Sequence, residues 1–268
     1  MLKKRLLSAL WGIPLVVIAV WFEQPLPWFT ILISIWGVIT VFEFYRLVAA
    51  SKASPLTYFG IVWTLLFILS PHFGYDFFIP LLLTSLVILP LVWLPLRANK
   101  ENALATWVWT VTGVLYVGWL LSYLVTLRSF DDGRNWVFLA FFATFASDTT
   151  AFFIGRAFGR HKLAPQVSPG KTWEGAIAGV FGAIIISLFF ILPTPLALPI
   201  NWGQAALLGL LVSIFGQFGD LAESLFKRNM GAKDSGNLIS GHGGALDRID
   251  SVVFAGVLVY YYAIWVIQ

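Results

Sequence analysis

Nine apolar runs, separated by short polar stretches, constrain what this chain can fold into more than any other feature. They lie at about Leu6 to Phe22, Leu26 to Val41, Leu56 to Ser70, Phe77 to Leu96, Leu104 to Leu127, Trp136 to Ile154, Trp173 to Leu192, Ala205 to Phe218 and Val252 to Ile267. In hydrocarbon every backbone N–H and C=O must be satisfied within its own segment, so runs of this kind are expected as helices crossing a bilayer. The third and eighth runs are short and are expected to extend into flanking polar residues. The composition is 59% hydrophobic and 11% charged, whereas soluble domains carry roughly 25% charged residues. The expected fold class is therefore an all-α, polytopic integral membrane protein of about nine transmembrane helices. It is read as a single membrane domain over residues 1–268, with scaffold helices in 1–130 and the chemistry in 135–268.

The first run follows Lys3, Lys4 and Arg5, a pattern shared by signal peptides and first transmembrane helices. The helix is favoured, because the run is near the lower length limit for spanning and no small-residue cleavage site precedes Glu23. Orientation follows from charge. With a cytoplasmic N-terminus, 15 of the 17 Lys and Arg residues fall on inside segments and only Arg128 and Arg134 lie outside, as the positive-inside rule requires. The C-terminus then lies outside. The same distribution accounts for the net charge of +4 without a nucleic-acid patch, and no nucleic-acid partner is expected. There is no cysteine, which excludes disulfides, thiolate nucleophiles and cysteine-ligated zinc. The 13 tryptophans fit interfacial belts, many being near run ends.

Charge is concentrated between Gly219 and Asp250, which hold five of the 13 carboxylates and four of the 17 basic residues. Asp220, Glu223 and Lys227 are spaced i, i+3 and i+7, along one face of a helix, with Arg228 close by. The following stretch, NMGAKDSGNLISGHGGALD, holds five glycines and reads as a loop able to turn backbone N–H groups toward an anion. Asp247, Arg248 and Asp250 close the segment. Carboxylates for hard cations, basic residues for phosphates and glycines for close approach together suggest metal-assisted phosphoryl chemistry. A merely solvated polar loop is the bland alternative.

The order of these residues decides between them. Ser224-Leu-Phe-Lys227-Arg228, then Lys233-Asp234, then His242-Gly243-Gly244, then Asp247-Arg248-Ile249-Asp250 resembles the signature of the phosphatidate cytidylyltransferases, or CDP-diacylglycerol synthases. Upstream, Ser147-Asp148 to Phe158-Gly159 and Ser168-Pro-Gly-Lys171-Thr-Trp-Glu174-Gly175 resemble that family's other cytoplasmic block. The chain departs from the pattern at Ser240, where proline is usual before GHGG, and at Gly170, where lysine is common. The specific matches cover roughly the C-terminal half.

The resemblance implies that a phosphatidate oxygen attacks the α-phosphorus of CTP to give CDP-diacylglycerol and pyrophosphate. Asp220 and Asp247 are the first choices for metal ligands, with Asp250, Asp234 and Glu223 as alternates, and magnesium is the expected ion because oxygen ligands and substrate phosphates suit it, a second cation being left open. Lys171, Lys227, Arg228, Lys233 and Arg248 would share the phosphates. Ser168, Asp148, Asp234, Gly243 and Gly244 fall in the matching blocks and are taken as substrate-binding. Expected partners are CTP, phosphatidate and the lipid bilayer, and the family admits a homodimer. The expected location is a bacterial inner membrane with the site facing the cytoplasm.

Individual residues carry their own alternatives. Asp148, toward the end of an apolar run, costs roughly 2.5–3.5 kcal/mol to insert unless it faces protein or water; neutralisation through Arg156 competes with a functional role. Ser168 or Thr172 is expected to cap the helix after Lys171, whose positive N-terminus would attract phosphate. His242 is a general base, a metal ligand or a hydrogen-bonder in its glycine turn. Glu43 and Arg46, spaced i, i+3, read as an interfacial pair with little catalytic promise. A CTP-dependent lipid kinase and an ion-coupled transporter using Asp148 and Asp220 are the rival functions; a CDP-alcohol phosphotransferase lacks its DGxxAR sequence here.

Because the native chain has no cysteine, single cysteines report topology cleanly. Thr194→Cys is expected to react with an impermeant thiol reagent from outside and Ser51→Cys only after permeabilisation. The opposite labelling pattern would overturn the orientation.

Overall fold

A computed structural model describes residues 2–50, 53–73, 75–96, 102–236 and 243–267. Its helices are α1 (Leu2–Trp21), α2 (Trp28–Ala50), α3 (Thr57–Leu69), α4 (Tyr75–Trp93), α5 (Ala103–Gly113), α6 (Leu120–Arg128), α7 (Gly133–Phe158), α8 (Trp173–Phe189), α9 (Trp202–Asn229) and α10 (Asp250–Tyr262). A π-helical stretch, Val114–Trp119, joins α5 to α6, so one helix runs Ala103–Arg128. Five helices are long and apolar enough to cross a membrane: Trp28–Ala50, Phe77–Leu96, Ala103–Arg128, Gly133–Phe158 and Trp202–Asn229. Four shorter apolar helices, Gly12–Trp21, Thr57–His72, Trp173–Phe189 and Asp250–Trp265, match the remaining runs. This is the architecture of a helical membrane protein. The one strand pair among the described residues is a feature the apolar runs do not foreshadow: β1 (Lys162–Ala164) pairs antiparallel with β2 (Ser168–Thr172) between α7 and α8.

The chain divides into two compact units, Met1–Val125 with Asn229–Asp247, and Thr126–Arg228 with Arg248–Gln268. In the first unit, α2 packs on α3 and on the Ala103–Arg128 helix. Tyr45 is buried against Gly60 and Gly113, where a Cβ at either glycine would strike its ring, and its hydroxyl donates to the Thr110 carbonyl at 2.7 Å. Phe67, Ile79, Leu82, Leu86 and Val114 form a buried cluster of α3, α4 and the π stretch.

The second unit shows why small residues recur in its helices. Gly175, Gly179 and Gly182 lie on the α8 face that meets α7, where Cβ atoms would stand 2.7 Å from the Ala151 carbonyl oxygen, 3.0 Å from that of Ser147 and 3.0 Å from that of Ala146. The opposite face carries Ile177, Phe181 and Ile185, each more than half exposed. One face is shaped for backbone contact and the other for lipid, since association inside a bilayer relies on close packing more than on apolar burial. The uncharged segment before α9 is tied to the start of α7, where Asn135 Nδ2 donates to the Ala197 carbonyl at 2.9 Å and Arg134 Nη2 to that of Pro195 at 3.1 Å.

Gly209 brings α9 against α8, and a Cβ there would lie 2.6 Å from Ile184 Cα. Backbone cannot yield as a side-chain tip does, so Gly209→Ala is expected to destabilise the protein by about 1–3 kcal/mol, typical of overpacking. A thermal midpoint in detergent equal to that of the parent would show that this contact is not tight.

Candidate functional site

The second unit gathers most of the charged residues singled out above. Helix α9 continues past the apolar run to Asn229, so Asp220, Glu223 and Lys227 do share one helical face. Glu223 is fully buried and forms an ion pair with Lys227 one turn on. Asp220 Oδ2 pairs with Lys171 Nζ of β2 at 2.7 Å, and Asp220 Oδ1 accepts from the Ser224 hydroxyl at 3.3 Å.

Asp250 comes to the same place from α10. The backbone makes this possible, because Gly219 lies so close to the Asp250 carbonyl oxygen that any Cβ would collide with it. Carboxylate oxygens of Asp220, Glu223 and Asp250 lie within 4.8 Å of one another. Asp250 Oδ1 also accepts from the Ser251 amide at 2.7 Å. Asp148, exposed on α7, lies within electrostatic reach of Asp220 and Lys171.

Three converging carboxylates, Asp220, Glu223 and Asp250, meet two lysines, Lys171 and Lys227, so negative charge is in surplus. Like charges at this spacing beside a low-dielectric region repel strongly. A divalent cation matches the surplus, and three converging carboxylates are the donor set that hard cations prefer. Asp220, Glu223 and Asp250 are therefore the residues fitted to hold one.

The hairpin orients the lysine. Thr172 Oγ1 caps α8 by accepting from the Gly175 amide at 3.2 Å, so of the two expected caps Thr172 is the one used. Beside it, His161 Nδ1 meets Glu174 Oε1 at 2.7 Å, closing the base of the hairpin. At the hairpin's turn, Arg228 Nε donates to the Val167 carbonyl at 3.2 Å, next to Ser168. Arg248, just before α10, is exposed. Ser224, Ser251 and the His161–Glu174 clamp were not singled out from the sequence, although Glu174 stands three residues from Lys171 in the SPGKTWEG block.

The glycine-rich segment belongs to the first unit. Asp247 Oδ2 accepts from the Gly244 amide at 2.8 Å, the Ser235 hydroxyl at 3.0 Å and the Ser235 amide at 3.3 Å. Gly243 takes a φ of +83°, and a Cβ there would stand 2.6 Å from that same oxygen, so glycine is required on both counts. Asp247 thus ties the two ends of the loop together. Lys233 and Asp234 are exposed beside Ser235. His242 and Ser240 lie outside the described residues.

Glu43 also belongs here, which corrects its reading as half of an interfacial pair. It is only 4% exposed, and its Oε2 accepts from the Leu246 amide at 3.1 Å and the Ser235 hydroxyl at 3.4 Å. Arg46, its supposed partner, is exposed over the Phe42 ring instead.

Comparison with known proteins covers nearly the whole chain. Residues 3–266 match the profile described as the Cytidylyltransferase family. A phosphatidate cytidylyltransferase of Bacillus subtilis (strain 168) is 31% identical over 237 residues, 87% of each chain. That of Staphylococcus haemolyticus (strain JCSC1435) is 37% identical over 195 residues, 71% of this chain and 72% of its own. Another, from Brucella abortus biovar 1 (strain 9-941), is 45% identical over 153 residues, but the chain spans only 56% of its length.

Proposed function

Because the chain belongs to the cytidylyltransferase family, we propose that it joins CTP to phosphatidate, making CDP-diacylglycerol and pyrophosphate. A phosphate oxygen of phosphatidate forms a bond to the α-phosphorus of CTP, and the bond from that phosphorus to the bridging oxygen of the β-phosphate breaks. The nucleophile is already anionic at neutral pH, so no strong general base is needed. The work left to the protein is to position and neutralise phosphates.

The observation that carries this reading is the convergence of Asp220, Glu223 and Asp250 within 4.8 Å, with Lys171 on Asp220. Asp220 and Asp250 would hold a divalent cation, magnesium by its preference for oxygen, and when bound that ion supplies positive charge to the triphosphate. Glu223, whose carboxylate converges with theirs, would share the ion and also keeps Lys227 in place. Lys171 exchanges Asp220 for a substrate phosphate, and Lys227, Arg228 and Arg248 supply the remaining positive charge in this unit. Asp148 on α7 lies within electrostatic reach of Asp220 and Lys171, and Ser168 on β2 follows the Val167 carbonyl that Arg228 engages. For Lys233, Asp234, His242, Gly243 and Gly244 a role in handling substrate rests on their place in the family signature. Asp247 organises the loop that carries them, because its Oδ2 is engaged by Ser235 and Gly244.

The membrane setting belongs to the same proposal. Nine spans, a cytoplasmic N-terminus and a site facing the cytoplasm of a bacterial inner membrane would put the basic segments where CTP is available, and the bilayer would deliver phosphatidate. The family resemblance also admits a homodimer.

Purified protein given phosphatidate, magnesium and CTP labelled at either the α- or the γ-phosphate tests the reaction. The α label is expected in lipid and the γ label in pyrophosphate; γ label in lipid would make the protein a lipid kinase. Lys171→Ala is expected to lower catalytic efficiency at least tenfold, the loss of a charge-assisted hydrogen bond worth about 1.5–3 kcal/mol. Parent-like efficiency in folded protein would leave Lys171 as part of the helix cap alone.

A further inference from the structure

Glu43 poses a problem that its own helix does not solve. It stands in an otherwise apolar stretch of α2, it is 4% exposed, and none of the ion pairs among the described residues includes it. A buried carboxylate is costly unless donors compensate it. The donors come from about 200 residues away in sequence, the Leu246 amide at 3.1 Å and the Ser235 hydroxyl at 3.4 Å.

The surroundings are built to that carboxylate. A Cβ on Gly236 would stand 2.6 Å from Glu43 Oε1, and one on Gly244 would stand 2.5 Å from Oε2. Two turns back on the same helical face, Trp36 Nε1 donates to the Ala245 carbonyl at 3.2 Å. Trp36 and Glu43, spaced i and i+7, therefore grip consecutive residues of one segment. From its other side the segment is closed by Asp247 through Ser235 and Gly244. Ser235 serves both carboxylates, so the two ends of the glycine-rich loop are stapled at one hydroxyl.

We infer that Glu43 is a positioning residue for the glycine-rich segment: α2 presents a tryptophan and a carboxylate that hold Ser235, next to Lys233 and Asp234, against Ala245 and Leu246. The inference rests on the proposed role of that loop in handling substrate. Glu43 does not touch the reacting atoms in this account. It acts by setting the loop's backbone, which determines where its lysine and its amide groups are held. A preset loop loses less conformational freedom on binding, so the effect falls on the affinity for nucleotide.

Hydrogen exchange of the full-length protein in detergent, read alongside kinetics, tests this. In Glu43→Ala, amides at 235–236 and 243–246 are expected to exchange at least tenfold faster than in the parent. KM for CTP should rise about tenfold with a smaller change in kcat. Glu43→Gln keeps a carbonyl acceptor for the Leu246 amide and is expected to stay within about threefold of the parent in both readouts. Trp36→Phe, which deletes one donor to the same segment, should loosen it in the same direction to a smaller extent, and it keeps the test open if Glu43→Ala does not fold.

Unchanged exchange in Glu43→Ala, or a Gln variant as impaired as the Ala variant, would overturn the inference. Should the parent transfer no cytidylyl group, the proposed reaction falls while the exchange measurement still decides whether Glu43 holds the loop.

Discussion

Repulsion among carboxylates at the edge of a low-dielectric layer is the constraint on which the second unit depends. Asp220 and Asp250 start from different helices and would separate if nothing held them. Gly219 removes the one atom that would keep α9 away from the Asp250 carbonyl, and the helix contact then fixes both side chains. Lys171 and Lys227 offset part of the charge, each from a position set by a neighbouring element: the first by the hairpin and the Thr172 cap, the second by the α9 turn it shares with Glu223. The remaining negative charge is what a divalent cation would offset. Such an arrangement trades stability for function, as strained or charged sites commonly do.

The first unit meets a related cost differently. Glu43 is compensated by hydrogen-bond donors from a loop, so the stability of the carboxylate and the shape of the loop are the same interaction seen from two ends. Asp247 does likewise through Gly244 and Ser235. In each unit an acidic residue sets geometry, and in the second three of them converge within 4.8 Å.

How much of this was legible in the sequence depended on the range of the interaction. The runs of apolar residues mark the helices because backbone satisfaction in lipid is a local requirement. The shared face of Asp220, Glu223 and Lys227 was readable because helical spacing is local too. The eighth run ends at Phe218 because hydropathy ends there, and its expected extension into polar residues reaches Asn229. The association of Asp220 with Asp250 was not readable, since it rests on a backbone contact between α9 and α10. Glu43 was misread for the opposite reason. Its spacing from Arg46 suggested a surface pair, while the face that mattered was the one it shares with Trp36, whose partners lie far along the chain. The β-hairpin was missed because its five-residue strand, SPGKT, carries no alternating pattern.

Binding of Mn2+ as a paramagnetic substitute, followed by electron paramagnetic resonance in the absence of substrates, tests the central claim most directly. The parent is expected to bind the ion, and Asp220→Asn and Asp250→Asn each to weaken it at least tenfold, the loss of one of a few charged ligands. Asp247→Asn is expected to leave this affinity nearly unchanged. Undiminished binding in Asp250→Asn, with loss in Asp247→Asn, would contradict the account and move the cation to the glycine-rich loop.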